Sequence, residues 1–130
     1  MNVISFDYDK TYFPSAPVVE IEVDGYNDQL GRQTLWAMVD SGADATMIPI
    51  PILNAIGASY KESMWMRGTT GVRIEVDLHL VAIRIGPHLI RGLHVIGIPA
   101  MDEAVIGRDV LNELVLTLNG PAQATEIQVE

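Results

Sequence analysis

The feature that most constrains this chain is an apolar segment that ends abruptly in a carboxylate. Residues 35–39 read Leu-Trp-Ala-Met-Val, a run typical of a buried strand, and Asp40, Ser41 and Gly42 follow directly. An acid at the end of an apolar strand is either fully hydrogen-bonded or kept for its chemistry, because burying an unpartnered carboxylate is costly. Gly42 permits a tight turn or the close approach of another chain, and the Ser41 hydroxyl can donate and accept hydrogen bonds.

A second segment has a related pattern. Residues 104–111 read Ala-Val-Ile-Gly-Arg-Asp-Val-Leu, a short apolar strand followed by a glycine and a helix start. Together, Asp-Ser-Gly-Ala-Asp at 40–44 and Val-Ile-Gly-Arg-Asp at 105–109 resemble the retroviral-type aspartic proteases, the retropepsin-like family. That family carries Asp-Thr/Ser-Gly-Ala-Asp after one apolar strand and an Ile-Ile-Gly-Arg-type motif before its C-terminal helix. The resemblance spans about residues 18–120.

The resemblance implies an all-β fold, a closed or partly open β-barrel with one lobe per chain. The residue patterns agree, because they predict mostly strands and only one or two short helices, over 51–56 and 108–114. A change of parity within 74–85 predicts a β-bulge. The alternation at 125–129 predicts a strand at a sheet edge. At 130 residues the chain is expected to form one domain over 1–130, with its core at about 16–120.

A β-hairpin is predicted over residues 60–76. Its polar tip is Gly68, Thr69, Thr70 and Gly71, between two strand-like arms. The residues alone favour an ordinary surface hairpin. The resemblance implies that it is the flap that closes over a bound peptide, with these four residues contacting the substrate.

The resemblance also implies roles for the residues around the first motif. Asp40 is the catalytic acid, the Ser41 hydroxyl bonds across to a second chain, and Gly42 lets two active-site loops approach each other. Ala43 and Asp44 are expected beside the peptide groove. From the residues alone, Asp40 remains equally compatible with a turn aspartate that binds backbone amides.

Two supporting features are expected near this site. Arg108 is implied to pair with Asp44, and a guanidinium can meet a carboxylate with two parallel hydrogen bonds. Ile48, Ile74 and Ile98 are expected to form apolar walls of the groove.

The number of carboxylates that catalysis requires predicts a homodimer. Peptide hydrolysis by carboxylates needs two of them around one water, and aspartic proteases are the general example of such a pair sharing a proton. The sequence contains a single Asp-Ser/Thr-Gly, so the second Asp40 must come from a second chain across a two-fold axis. The family usually has a compact C-terminal strand directly after its helix, for a four-stranded interchain sheet. Here Asn-Gly-Pro-Ala at 119–122 intervenes and the N-terminal segment is longer, so the dimer interface is expected to differ.

The leading functional hypothesis is an aspartic endopeptidase that acts on peptide or protein substrates with no metal and no cofactor. The alternative is a non-catalytic dimeric peptide-binding module with the same fold. No metal site is predicted, because His79, His88 and His94 lack ligand spacing.

Charge and composition argue against several classes of binding partner and of chemistry. A formal net charge of −9 argues against nucleic acid or an anionic membrane as a partner. The absence of cysteine excludes disulfides and thiol chemistry. No signal peptide and no apolar run of about 18 residues are found, so a cytoplasmic location is expected.

Overall fold

A computed structural model describes residues 2–68 and 70–130 of the chain. The chain is mostly β, with 54% strand and 8% helix, which confirms the predicted fold class. The strands are β1 (Val3–Asp7), β2 (Val18–Asp24), β3 (Arg32–Val39), β4 (Met47–Pro49), β5 (Ser59–Arg67), β6 (Arg73–Ile85), β7 (His88–Ile98), β8 (Val105–Ile106), β9 (Leu116–Asn119) and β10 (Ala124–Gln128). The helices are α1 (Ile50–Ala55) and α2 (Arg108–Leu111).

The larger of two sheets closes into a barrel. Its strand order is β2-β3-β8-β4-β7-β6-β5, and β2 also pairs with β6, so all strands except β5 form a ring. Closure leaves a ring without open edges, whose inward side chains fill the interior. β5 remains outside the ring and extends β6 into a long hairpin.

The barrel interior is filled by the apolar positions of alternating strands. In β2, Val19, Ile21 and Val23 are fully buried, while the acidic residues between them face outward. This is the period-two pattern of a half-buried strand, and each such side chain stabilises the fold by about 1.5–3 kcal/mol. The predicted bulge is present, because the register between β6 and β7 shifts between Val81 and Ile83.

A second sheet, with the order β1-β10-β9, joins the two ends of the chain. The sequence predicts β10 at a sheet edge, but it lies in the centre, since β1 pairs with one side of it and β9 with the other. Ile127 in β10 is fully buried in the main core cluster. The core therefore extends past the predicted limit near residue 120.

Helix α2 is shorter than predicted. It ends at Leu111 rather than at Leu114, and Asn112 caps it with its N–H group bonded to the Arg108 and Val110 carbonyls. None of the helices in the described part of the chain is long and apolar enough to cross a membrane.

Candidate active site

Asp40 lies on a tight loop at the end of β3. Its N–H donates to the Ile106 carbonyl of β8 at 3.0 Å, and its own carbonyl accepts the Ala43 N–H at 3.1 Å. The Gly42 N–H donates to Asp40 Oδ1 at 2.9 Å. The Asp40 side chain is exposed in the single chain. The loop therefore fixes one carboxylate oxygen and presents the acid at the surface.

Backbone hydrogen bonds to two other segments fix the end of β3. The Met38 N–H donates to the Ala104 carbonyl at 2.9 Å, and the Val39 N–H donates to the Pro17 carbonyl at 3.0 Å. Because both contacts directly precede Asp40, the loop starts from a fixed point of the barrel.

Gly107 of the second motif packs closely against the backbone of the Asp40 loop. A methyl group at this position would lie 2.7 Å from the Ala45 carbonyl carbon and 2.9 Å from the Ala43 oxygen. Real Cβ atoms do not approach backbone so closely, so only glycine fits. The Ala43 carbonyl also accepts the Arg108 N–H at 2.9 Å.

Ala43 has a different role from the one predicted. The sequence places it beside the substrate, but its side chain is buried and both of its backbone groups bond within the chain. We therefore assign it to the scaffold of the loop.

Arg108 contacts the Asp40 loop through its side chain. One guanidinium nitrogen donates to the Asp44 carboxylate, and another donates to the Ser41 carbonyl at 2.8 Å. The predicted pair is therefore present within one chain, but the expected two parallel bonds to the carboxylate are wrong. The second guanidinium nitrogen of Arg108 donates to the Ser41 carbonyl instead of to the carboxylate. The Asp44 side chain is 89% exposed, so the ion pair itself adds little stability.

A partly buried polar contact joins Thr46 and Asp109, and the sequence did not predict it. The Thr46 N–H donates to the Asp109 carboxylate oxygens at 3.0 and 3.1 Å, and the Thr46 hydroxyl donates to Oδ1 at 2.7 Å. The same hydroxyl accepts the Gly107 N–H at 3.1 Å. An acid in the first turn of a helix is common, and this was the only signal in the sequence.

The predicted hairpin is formed by β5 and β6. The Gly68 N–H donates to the Val72 carbonyl at 3.1 Å, and the Gly71 N–H donates to the Gly68 carbonyl at 3.0 Å. Gly71 has a φ of +82°, which favours glycine. Thr70 lies exposed in the turn, and Thr69 lies outside the described residues.

The arms of this hairpin project from the barrel. Met64, Trp65 and Ile74 are about half exposed although they are large and apolar. The Arg73 guanidinium lies 5.3 Å from the centre of the Trp65 ring, a cation–π contact between the two arms. The hairpin thus carries apolar side chains that a bound molecule can cover.

Comparison with known proteins identifies the chain. Residues 28–113 match the family model described as "gag-polyprotein putative aspartyl protease". The chain belongs to this aspartyl protease family. The match confirms the resemblance on which the sequence analysis relied.

Two solved structures are similar to this aspartyl protease. An EIAV protease in complex with the inhibitor HBY-793 shares 18% identity with a TM-score of 0.55, covering 75% of this chain and 86% of the other. A retropepsin-like aspartic protease from Rickettsia conorii shares 10% identity with a TM-score of 0.63, covering 97% and 90%. At these identities the likeness shows the fold alone. The comparison with curated proteins gave no match.

The predicted apolar walls of the protease groove need a correction. Ile48 is fully buried in the barrel core, so it cannot line a groove. Ile74 is exposed on the hairpin and Ile98 is half-buried at the end of β7. In β4 the neighbour Met47 points to the opposite face from Ile48, is half-buried, and pairs with Val105 of β8. Met47 and Val105 replace Ile48 as candidate wall residues.

The Asp40 loop of the protease also borders a cleft of about 380 Å³. Asp40 and Ser41 form one rim. The rest of the lining is Val39, Leu111, Leu114, Leu116 and Leu118.

Proposed function

We propose that this aspartyl protease is an endopeptidase that works as a homodimer, with the Asp40 carboxylates of two chains facing each other across a two-fold axis. One observation carries the proposal. The chain presents a single Asp-Ser-Gly acid, fixed at Oδ1 by the Gly42 N–H and exposed at the surface. One such acid is half of the pair that carboxylate-catalysed hydrolysis requires.

The two carboxylates divide the work of an acid and a base. Two carboxylates about 3 Å apart cannot both ionise, so one keeps a proton. The protonated Asp40 gives its proton to the substrate carbonyl oxygen while the ionised Asp40 takes a proton from the attacking water. When the resulting diol collapses, the second carboxyl passes the proton from water to the leaving amine, and the first recovers its proton from the diol hydroxyl. The water attacks directly, so no covalent intermediate with the enzyme forms.

The neighbouring residues support this chemistry in distinct ways. The Gly42 N–H holds one carboxylate oxygen, so the acid is oriented before substrate arrives. The Ser41 hydroxyl bonds to the second chain and stiffens the pair. The β5–β6 hairpin folds over an extended peptide and excludes water, with Gly68, Thr69, Thr70 and Gly71 at its tip. Asp44, beside the loop, contacts the peptide backbone.

The test is cleavage of an unfolded protein substrate by wild type, Asp40→Asn and a matched control. The control is Asp28→Asn, which removes the same charge from an exposed residue between β2 and β3. The assay is run above about pH 5, because the sequence pI of about 4.6 favours precipitation below it. We expect Asp40→Asn to lose at least about a thousandfold in kcat and Asp28→Asn to match wild type.

The other outcomes are equally informative. Cleavage that survives in Asp40→Asn contradicts the proposal. A folded, dimeric wild type that binds peptide without cleaving it identifies the non-catalytic peptide-binding module instead. Inhibition of wild type by a statine-type inhibitor adds support, since such a compound mimics the tetrahedral intermediate.

A further inference from the structure

A cleft on the outer face of the barrel combines aromatic and acidic side chains that the proposed chemistry does not use. It has a volume of about 510 Å³ and lies between β1, the loop after β1, and the β2–β3 pair. Its lining is Ser5, Phe6, Asp7, Asp9, Val18 and Trp36. We propose that this cleft is an exosite, a second binding site of the enzyme, which takes an arginine or lysine side chain from the protein substrate. The inference rests on the proposed function and adds a substrate preference to it.

The aromatic part of the cleft is formed by Phe6 and Trp36. The two rings meet edge to face, with their centroids 5.8 Å apart and their planes at 89°. Trp36 is nevertheless 53% exposed, although a side chain of this size gains much from burial. Tryptophan attracts a guanidinium or ammonium group more strongly than the other aromatic side chains do, through the negative face of its ring. An exposed tryptophan in a cleft is therefore suited to a cationic side chain.

Two carboxylates lie at the same cleft. Asp7 ends β1 and is exposed, and Asp9 follows in the next loop. Neither forms an ion pair with another described residue. Lys10 is adjacent in the sequence but does not line the cleft. The cleft therefore presents two negative charges that no arginine or lysine of the described chain neutralises.

Hydrogen bonds from two neighbouring residues fix Asp9. Its N–H donates to the Ala16 carbonyl at 2.8 Å, and its carbonyl accepts the Ala16 N–H at 3.0 Å. The Thr11 hydroxyl and N–H both donate to Asp9 Oδ1, at 2.6 and 2.9 Å. These two bonds hold the pKa of Asp9 below its ordinary value, so the carboxylate is ionised at neutral pH. Because both bonds go to Oδ1, Asp9 Oδ2 is available to a guanidinium or ammonium group.

An arginine or lysine side chain fits both parts of the cleft. Its charged end pairs with the carboxylates, and its apolar stem or guanidinium plane lies against the aromatic rings. An apolar side chain would remove water from the carboxylates without giving them a partner, and an acidic side chain would be repelled by them. The formal net charge of −9 also favours the approach of a basic segment.

The position of the cleft relates it to the catalytic acid. Trp36 precedes Asp40 by four residues on β3, which separates them by about 13 Å along the strand. The Pro17 carbonyl accepts the Val39 N–H at 3.0 Å, and Val18, which lines the cleft, follows Pro17 directly. An extended peptide spans about 13 Å with about four residues. A basic residue about four positions from the cleaved bond would therefore reach the cleft.

Two-dimensional NMR tests the cleft separately from catalysis. The chain has two tryptophans, so wild type gives two indole N–H signals, and Trp36→Phe assigns one of them. The probe is the peptide acetyl-Gly-Arg-Gly-amide, and in the control peptide the neutral isostere citrulline replaces arginine. We expect the arginine peptide alone to shift the Trp36 signal, in a saturable way, and to leave the Trp65 signal in place. The Kd should rise at least about fivefold in the double variant Asp7→Asn, Asp9→Asn and stay unchanged in Asp28→Asn.

Three results of the titration overturn the site. Equal shifts with the arginine and citrulline peptides would show that the positive charge is not recognised. A shift of the Trp65 signal alone would place the contact on the β5–β6 hairpin. A Trp36 signal that changes on dilution of the protein, and not with peptide, would show that a second copy of the chain covers the cleft. The citrulline comparison uses wild type, so it remains valid if a variant folds poorly.

Cleavage kinetics test the link to the substrate. A peptide that wild type cleaves is made with arginine or citrulline at each position from two to six residues from the cleaved bond. We expect arginine about four residues away to raise kcat/KM at least about fivefold over citrulline, through a lower KM with unchanged kcat. Trp36→Leu, which keeps an apolar side chain but lacks the ring, should abolish this preference. Trp36→Phe, which keeps a ring, should retain part of it.

The outcomes separate the exosite from the proposed function. If wild type shows no arginine preference, or if the preference survives in Trp36→Leu, the exosite is overturned and the endopeptidase remains. If the arginine peptide binds in the NMR titration but arginine never improves cleavage, the cleft serves another cationic ligand and its role toward the substrate is overturned. A folded wild type that cleaves no peptide contradicts the proposed function, and the NMR titration still decides whether the cleft binds a cation.

Discussion

The Thr46 hydroxyl donates a 2.7 Å hydrogen bond to Asp109 Oδ1, and this contact joins the two motifs of the candidate site. Thr46 is fully buried and follows the Asp40 loop, while Asp109 lies in the first turn of α2. The Asp109 carboxylate also accepts the Thr46 N–H and the Val110 N–H. The loop and the helix are thus fixed to each other beneath the exposed acid.

The first prediction follows from this contact. Asp109→Ala leaves the buried Thr46 N–H without its acceptor, which should lower the free energy of unfolding by about 2–3 kcal/mol. Asp102→Ala, in an exposed loop, should change it by less than about 0.5 kcal/mol. Urea denaturation of both variants measures the difference, and equal destabilisation would show that the Thr46 contact is energetically unimportant.

A second prediction concerns Gly107. The methyl group of Gly107→Ala meets backbone atoms of Ala43 and Ala45 below 3.0 Å, so the loop must move. We expect a loss of more than about 3 kcal/mol or failure to fold. Gly120→Ala, where a methyl group meets nothing within 4 Å, should leave the melting temperature nearly unchanged. Thermal unfolding followed by circular dichroism compares the two, and a stable Gly107→Ala protein would disprove the close approach.

The third prediction concerns Arg108→Lys. Lysine has one ammonium group and cannot bond both the Asp44 carboxylate and the Ser41 carbonyl as the guanidinium does. Because the Asp44 side chain is 89% exposed and the Arg108 side chain 44%, the free energy of unfolding should fall by only about 1 kcal/mol or less. The fall in kcat should be larger than this small loss of stability explains, because the Ser41 carbonyl belongs to the catalytic loop. Measuring kcat beside the melting temperature separates the two effects, and unchanged kcat would count against a positioning role.

A fourth prediction concerns Tyr12 at high pH. The neighbouring Glu103 carboxylate raises the pKa of Tyr12 to about 12. Since the folded pKa exceeds the unfolded value near 10, the contact stabilises the fold fully below about pH 10, and this contribution is lost as pH rises through 12. Ultraviolet titration of tyrosinate should show the late titration of Tyr12 in wild type. In Glu103→Gln that pKa should move back toward 10, and an unchanged titration curve would rule out the contact.

Much of the barrel was predictable, because it depends on local patterns. The strand-like arms at 60–76 and the parity change within 74–85 predicted a hairpin and a bulge that both occur. The pairing of β1 with β10 was not predictable, since alternation indicates that a strand exists but not which distant strand it joins. Chain ends that are far apart in the sequence meet there, as the Val3–Gln128 pair shows.

For the site, the sequence predicted the Asp40 loop and its contact with Arg108, because both lie within recognisable motifs. It missed the Thr46–Asp109 contact, whose partners lie 63 residues apart and carry no distinctive spacing. It also misassigned Ile48 to the groove. Strand residues alternate between faces, so an error of one position exchanges a core residue for its neighbour Met47.

The most direct test of the account is a subunit-mixing experiment with wild type and Asp40→Asn. The two proteins are combined at fixed total concentration, allowed to exchange subunits, and assayed for peptide cleavage. If each active centre needs one Asp40 from each chain, activity should fall as the square of the wild-type fraction, to about one quarter in an equal mixture. If one chain suffices for catalysis, activity should fall linearly to about one half, and that result would contradict the shared acid pair.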